Sequence, residues 1–395
     1  MTAVPNGGAP ELPAVSRLEL PPLAAYVHIP WCVRKCPYCD FNSHAAGASL
    51  PEDAYVDALL ADLDADLEQI QTRRLTSIFF GGGTPSLFSA NALERILEGM
   101  RQRVGFADGI EITLEANPGT FEQAKFRDYR SLGINRLSIG VQSFQPAKLI
   151  ALGRIHDGNE AIRAADMARA AGFDNFNLDL MHGLPEQSLE DALSDLRIAI
   201  EQQPTHLSWY QLTVEPNTEF WNKPPRLPED ETLWDIQEAG QALLAAHGYG
   251  QYETSAYAQP GRQARHNLNY WTFGDFLGLG AGAHGKWTAP NGEIRRHWKT
   301  RLPKDYLDPA KRFRAGHKQL ARDELPFEFL MNVLRLTDGT PSLLFTQRTG
   351  LSLDLLADGR RDAEARSLLE PDPQRLVATP KGQLFLNDLL QLFLP

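Results

Sequence analysis

From about residue 24, short runs of apolar and β-branched residues alternate with amphipathic stretches. The runs fall at Ala24 to Pro30, Ser77 to Gly82, Ile110 to Ala116, Leu137 to Gln142, Phe176 to Met181 and Leu207 to Val214, lengths that suit buried strands. Between them, apolar positions recur at helical spacing near 52–71, 89–102, 121–132, 157–171 and 188–202, several opened by Asp, Ser or Pro and closed near Gly. Strand then helix, repeated six times, predicts an α/β fold with a parallel sheet and right-handed crossovers. Six units are too few for a complete eight-stranded barrel. An open doubly wound sheet and a partial barrel remain.

Polar residues separate these two. Glu115, Gln142, Asp179 and the glycines of Gly81-Gly82-Gly83-Thr84-Pro85 all stand at or just beyond the C-terminal ends of different strands, the edge where barrel enzymes assemble their sites. A curved sheet brings several strand ends towards one centre, whereas a flat one offers mainly its switch point. The expectation is therefore a partial (β/α)6 barrel.

After residue 216 the texture changes. Pro216, Pro224, Pro225 and Pro228 mark a loop, a helical pattern spans 229–247, and Gly- and aromatic-rich sequence continues through Trp298. From about 322 come an apolar helix at 325–336, further helical pieces, the run 377–382 and a final apolar helix at 384–394. The expected organisation is a flexible N-terminus (1–22), the barrel (23–250), a linker region (251–320) and a small, mainly helical, winged-helix-like C-terminal domain (321–395).

Charge removes some partners. A formal net charge of -11 speaks against nucleic acid bound over a wide surface. One basic cluster, Arg295-Arg296-His297-Trp298-Lys299 continuing to Arg301, Lys304, Lys311 and Arg312, reads as a solvated connector face or as a dock for acidic groups such as propionates. No apolar stretch approaches about 18 residues, and the start lacks the features of a signal peptide. A cytoplasmic protein without a transmembrane segment is expected.

All three cysteines fall in one window, Cys32-x3-Cys36-x2-Cys39. Three thiols cannot make a disulfide framework, and their packing in one loop points to metal in a reducing compartment. Zinc would want a fourth ligand, for which His44 is available. Thiolates bind iron–sulfur clusters as readily, and three of them can hold three irons of a cubane and leave the fourth iron open.

With Tyr38 before its last cysteine, the window resembles the signature of radical S-adenosylmethionine (SAM) proteins. In that family the cysteines hold a [4Fe-4S] cluster, SAM chelates the open iron, and an electron from the cluster releases a 5′-deoxyadenosyl radical. The runs at Tyr26 to Cys32, Phe80 to Ser86, Glu115 to Pro118, Gly140 to Phe144 and Asp179 to Pro185 are, in this order, similar to the oxygen-independent coproporphyrinogen III oxidase family. The resemblance runs from Tyr26 to the C-terminus. It implies that Tyr26, Tyr38, Gly82, Gly83, Thr84, Glu115, Gln142, Arg154, Asp179 and Thr213 line SAM. Glycines let the backbone approach a ligand, Glu115 and Asp179 can accept from an ammonium or ribose hydroxyls, and Arg154 can meet a carboxylate.

Two features depart from the oxidases. These carry a further cysteine two residues after the third, where this chain has Phe41, and a longer segment before the window, where this chain has 31 residues. Both departures resemble the sister group, the HemW heme chaperones. That group also carries the motif found here as His266-Asn267-Leu268-Asn269-Tyr270-Trp271. An imidazole can ligate heme iron, and Tyr and Trp can pack on a porphyrin. His266 is the first choice of axial ligand and His284 the second. The resemblance implies heme, cluster and SAM as cofactors, heme-accepting proteins as partners, respiratory enzymes among them, and leaves a homodimer open. It implies a protein without coproporphyrinogen III dehydrogenase activity; that dehydrogenase is the alternative reading.

Overall fold

The computed structural model describes residues 18–119 and 125–395. Residues 1–17 of the flexible N-terminus expected at 1–22 lie outside the described residues, as do residues 121–124 of the helix expected at 121–132.

Twelve strands form one sheet. In chain order they are β1 (Leu23–Ile29), β2 (Leu75–Gly82), β3 (Phe106–Ala116), β4 (Arg136–Gln142), β5 (Phe176–His182), β6 (His206–Gln211), β7 (Gly250–Glu253), β8 (Ala256–Ala258), β9 (Asp275–Leu279), β10 (His284–Thr288), β11 (Ile294–Lys299) and β12 (Arg314–Gln319). Their order across the sheet is β12-β11-β10-β9-β1-β2-β3-β4-β5-β6-β8-β7. The six expected strands run parallel from β1 to β6. A seventh, β9, joins them in parallel through Leu23↔Asp275 to Val27↔Leu279. Antiparallel strands continue both edges. Residues 251–320 thus contribute five complete strands, β8 to β12, to the sheet.

Period-two alternation divides each parallel strand. Ala25, Val27, Ile29, Ile78, Phe80, Leu114, Leu137, Ile139, Val141, Leu178 and Leu180 point to the helices and form the main core. The alternate positions, Tyr26, Ser77, Thr113, Glu115, Ser138, Asn177 and Asp179, face the concave side. An apolar back and a polar front result. At about 25 cal/mol per Å2 of buried apolar surface, the back stabilises the fold and leaves the front free for chemistry.

The covering helices are α1 (Glu52–Ala65), α2 (Ala90–Arg103), α3 (Phe126–Ser131), α4 (Gly158–Ala170), α5 (Leu189–Glu201) and α6 (Asp230–Ala246). Their starts follow the sequence. Ser89 accepts from the Ala92 N–H, and Asp157 and Ser188 each form a capping box with Glu160 and Asp191, reciprocal bonds that satisfy otherwise orphaned amides.

The C-terminal region packs helices Leu325–Val333, Leu343–Thr349, Ala357–Ala365 and Leu386–Gln391 around Phe329, Leu330, Phe345, Leu369, Leu376 and Leu389. A short antiparallel pair, Thr340–Pro341 with Arg375–Leu376, flanks them. The last helix is shorter than expected because the chain leaves helical geometry at Phe385 (φ -108°, ψ 44°). Among the described residues no helix is long and apolar enough to cross a membrane.

Candidate SAM and cluster cleft

A cleft of about 430 Å3 opens at the C-terminal ends of β2 to β6, and one wall of it is the cysteine loop. The loop closes on itself. Trp31 and Cys32 pair in parallel with His44 and Ala45, Cys39 N–H donates to the Cys36 carbonyl at 3.1 Å, and Ala46 N–H to the Cys32 carbonyl at 2.8 Å. Asn42 then ties it to the opposite edge of the sheet, donating to the carbonyls of Ala281 (2.9 Å) and Arg301 (2.8 Å). His28 bridges the Asn42 carbonyl and the Tyr26 hydroxyl, each at 2.9 Å.

The three cysteines are free and half-buried, and all line the cleft. Burial pushes the thiols of Cys32 and Cys39 up. Arg154 Nη1 approaches Cys36 Sγ at 3.7 Å, and the Ser43 hydroxyl, 3.8 Å from Cys39 Sγ, opposes part of the rise at Cys39. Among the described residues no three His, Cys, Asp or Glu side chains converge on one metal ion. A cubane asks for no such convergence, since each thiolate takes a different iron. His44, the fourth ligand that zinc would need, pairs beside Trp31 and is absent from the cleft lining. The donor set therefore fits a cluster.

The facing walls carry the polar strand ends. Gly82 (φ +113°) turns its amide to Glu115 Oε2 at 3.2 Å. The glycine run is also stitched to the cysteine strand, with Gly83 N–H on the Ile29 carbonyl and Thr84 N–H on that of Trp31, both at 2.7 Å. A Cβ on Gly83 would meet the Trp31 carbonyl oxygen at 2.5 Å. Gln142 closes β4 with φ +68°, beside a break in register between Gly140 and Gln142. Such a backbone costs about 1–3 kcal/mol and persists where the surroundings hold it.

Two carboxyls share the floor. Burial, then the neighbouring charge of Asp179, pushes Glu115 up to about 8, against the pull of the Gly82 amide. Burial also raises Asp179, which Ser138 and Asn177 restrain by hydrogen bonds. Two carboxyls raised in this way suit a ligand that brings a cation. Arg154 is held by Asn117 Oδ1 (2.7 Å) and the Gly140 carbonyl (2.6 Å).

Of the residues expected around SAM, Tyr38, Gly82, Gly83, Thr84, Glu115, Gln142, Arg154, Asp179 and Thr213 line this cleft together. Thr213 is exposed at its rim and bonds Glu215 (2.9 Å). Tyr26 lies deeper, its hydroxyl on His28 and its ring over Phe79. Asn117, Ser138, Met181 and Tyr210 also line the cleft and were missed, although Ser138 and Tyr210 are legible as front-face positions in their strands. Phe41 is 60% exposed at the mouth.

The two heme-ligand candidates lie elsewhere. His266 sits on helix α7 (Arg265–Trp271), which plugs the barrel beneath Tyr26. It is 6% exposed, stacked on Phe79 at 4.2 Å and met edge-on by Tyr270 at 4.5 Å. His284 is exposed on β10, opposite Trp298 in register, with their rings 6.5 Å apart. The basic cluster divides: Arg301, Lys304, Lys311 and Arg312 are exposed, whereas residues 295–299 are not one solvated face. These alternate across β11, with Lys299 buried against Asp62 and Asp66, Arg296 on Glu328 (2.6 Å) and Arg295 on Glu293 (2.5 Å).

A model of the radical SAM superfamily matches residues 26–198, and one of the HemN C-terminal domain matches residues 320–385. The heme chaperone HemW of Escherichia coli (strain K12) is 54% identical over 377 residues, covering 95% of this chain and 99% of that protein. The chain belongs to the HemW family. The Haemophilus influenzae HemW agrees, at 53% identity over 380 residues and the same coverage. Among solved structures, the E. coli coproporphyrinogen III oxidase, a radical SAM enzyme, superposes with a TM-score of 0.81 over 96% of this chain and 91% of that one. At 24% identity that likeness shows the fold which HemW proteins share with it.

Proposed function

We propose that this chain is a heme chaperone: it binds a [4Fe-4S] cluster and SAM in the cleft, binds heme, and delivers it in the cytoplasm to acceptor heme proteins, respiratory enzymes among them. The observation that carries this reading is the 54% identity to a heme chaperone along 95% of the chain, joined to a cleft that gathers three free cysteines with Glu115 and Asp179. Cys32, Cys36 and Cys39 hold the cluster, which when bound supplies the electron that cleaves SAM. The Gly82–Thr84 backbone lies along the methionine end of SAM, Glu115 and Asp179 accept from its ammonium and ribose hydroxyls, and Arg154 meets its carboxylate.

Of the two candidate histidines, His284 is open to a porphyrin, whereas His266 is reached only if helix α7 moves. Burial and the charges of Arg296 and Arg301 lower the basicity of His284, which leaves a neutral imidazole for iron. Hemin added to the reconstituted protein should give a shifted Soret band that His284→Ala alters and His266→Ala retains. No binding by the unaltered protein would overturn the chaperone reading. An anaerobic assay with SAM, a reductant and coproporphyrinogen III should yield no protoporphyrinogen IX; clear product would replace the chaperone by the dehydrogenase.

A further inference from the structure

We infer that the His-Asn-x-x-Tyr-Trp helix is a positioning element for the cleft, in which Asn267 fixes the direction of Asp179 through Tyr252, His206 and Asn177. The inference rests on the reading of the cleft as a SAM site. It gives that motif a task independent of heme.

The chain of contacts is continuous. Asn177 Nδ2 donates to Asp179 Oδ1 and to Ser138 Oγ, both at 2.8 Å, and the Ser138 hydroxyl donates to Asp179 Oδ2 at 2.9 Å. The Asn177 amide can do this only if its oxygen faces away. There it lies 2.7 Å from His206 Nδ1 and accepts from Ser208 Oγ at 3.2 Å. An amide oxygen accepts only, so His206 carries its proton on Nδ1. Burial and the nearby Arg136 charge hold this imidazole neutral, which makes Nε2 an acceptor. The Tyr252 hydroxyl, 2.9 Å away, donates to it. The same oxygen accepts from Asn267 Nδ2 (3.1 Å) and from the Ala264 N–H (3.4 Å).

Every link therefore has one direction, with donors running from helix α7 to the carboxylate. Asn177, His206 and Tyr252 are buried, so water does not compete for their polar atoms, and a buried network of this kind specifies a single arrangement. Tyr252 is further held by the C-terminal domain, whose Thr337 N–H donates to its carbonyl at 3.1 Å. Removing the Tyr252 hydroxyl leaves Nε2 without a donor. The Nδ1 proton keeps its acceptor on the Asn177 oxygen, but the ring has lost its anchor and can swing, carrying the Asn177 amide away from Asp179.

The test uses the full-length, cluster-reconstituted protein under anaerobic conditions, with Tyr252→Phe, Asn267→Ala and, as a control in the same helix, Trp271→Phe, which alters packing against Arg335 and leaves the chain intact. Equilibrium dialysis reads SAM affinity, and 15N shifts of His206 read its tautomer. Tyr252→Phe should weaken SAM binding about tenfold, the order of one buried hydrogen bond, and should shift the His206 Nε2 resonance, which loses its hydrogen-bond donor. Asn267→Ala should weaken it less, since Ala264 still donates, and Trp271→Phe should leave both readouts unchanged. Unchanged affinity in Tyr252→Phe, an equal loss in Trp271→Phe, or a wild-type His206 protonated on Nε2 would overturn the relay. Failure of the wild type to bind SAM would instead overturn the reading of the cleft, with the tautomer still deciding whether the chain exists.

Discussion

Glu115 shows how one side chain can report the state of the cleft. Its folded value, about 8, exceeds that of an unfolded carboxyl. The folded state therefore holds the proton more tightly, and the stability this group contributes is full below the ordinary carboxyl range and is lost as pH rises through about 8. The melting temperature of Glu115→Gln relative to wild type should accordingly rise between pH 6 and 9. Binding of a cationic ligand runs the other way, because it needs the ionised form. SAM affinity of the wild type should increase towards pH 8.5 and that of Glu115→Gln should be weaker and flat; equal pH profiles would count against a role for this carboxyl. The other informative residue is Phe41, whose exposure at the mouth puts an inert ring beside the three cysteines.

Among elements, the glycine run and the cysteine strand act as one unit. Gly83 and Thr84 hydrogen-bond the backbone that leads to Cys32, and the close approach of Gly83 to the Trp31 carbonyl leaves no room for a methyl group. Backbone cannot yield as a side-chain tip can, so Gly83→Ala should shift the loop at a cost of about 1–3 kcal/mol. Iron content after reconstitution and the urea midpoint should both fall. Full iron loading with an unchanged midpoint would show that the two segments are independent. The six strands and their helices are legible in the sequence because period-two and helical patterns are local. Strand β9 is not. It is only five residues long and is broken by Gly278, and its partner, β1, lies some 250 residues earlier in the chain.

Over the whole molecule, the sheet extension is fastened to α1 by a buried ion cluster. Lys299 sits between Asp62 and Asp66, the latter 2.6 Å away, Tyr306 donates to Asp62 at 2.7 Å, and Arg314 reaches Asp66. Removing one partner strands a charge out of water, which costs about 3–5 kcal/mol. Lys299→Met should lower unfolding stability by about that amount in urea denaturation, and a loss below about 1 kcal/mol would mean that the cluster tolerates an open carboxylate.

The basic residues at 295–299 show what sequence alone could not sort: a strand sends neighbouring residues to opposite sides, and what each side meets is a tertiary matter. The same limit applies to His266. Its motif is visible in sequence, but its enclosure by Phe79 and Tyr270 depends on strands far away in the chain. What the sequence by itself determined was the strand and helix alternation, the cysteine window and the strand-end polar residues, all written in short-range spacing. What only the tertiary structure decided was the seventh parallel strand, the pairing of the buried charges and the path from Asn267 to Asp179. Each of those depends on groups that meet across the sheet, where burial and hydrogen-bond direction leave no trace in local pattern.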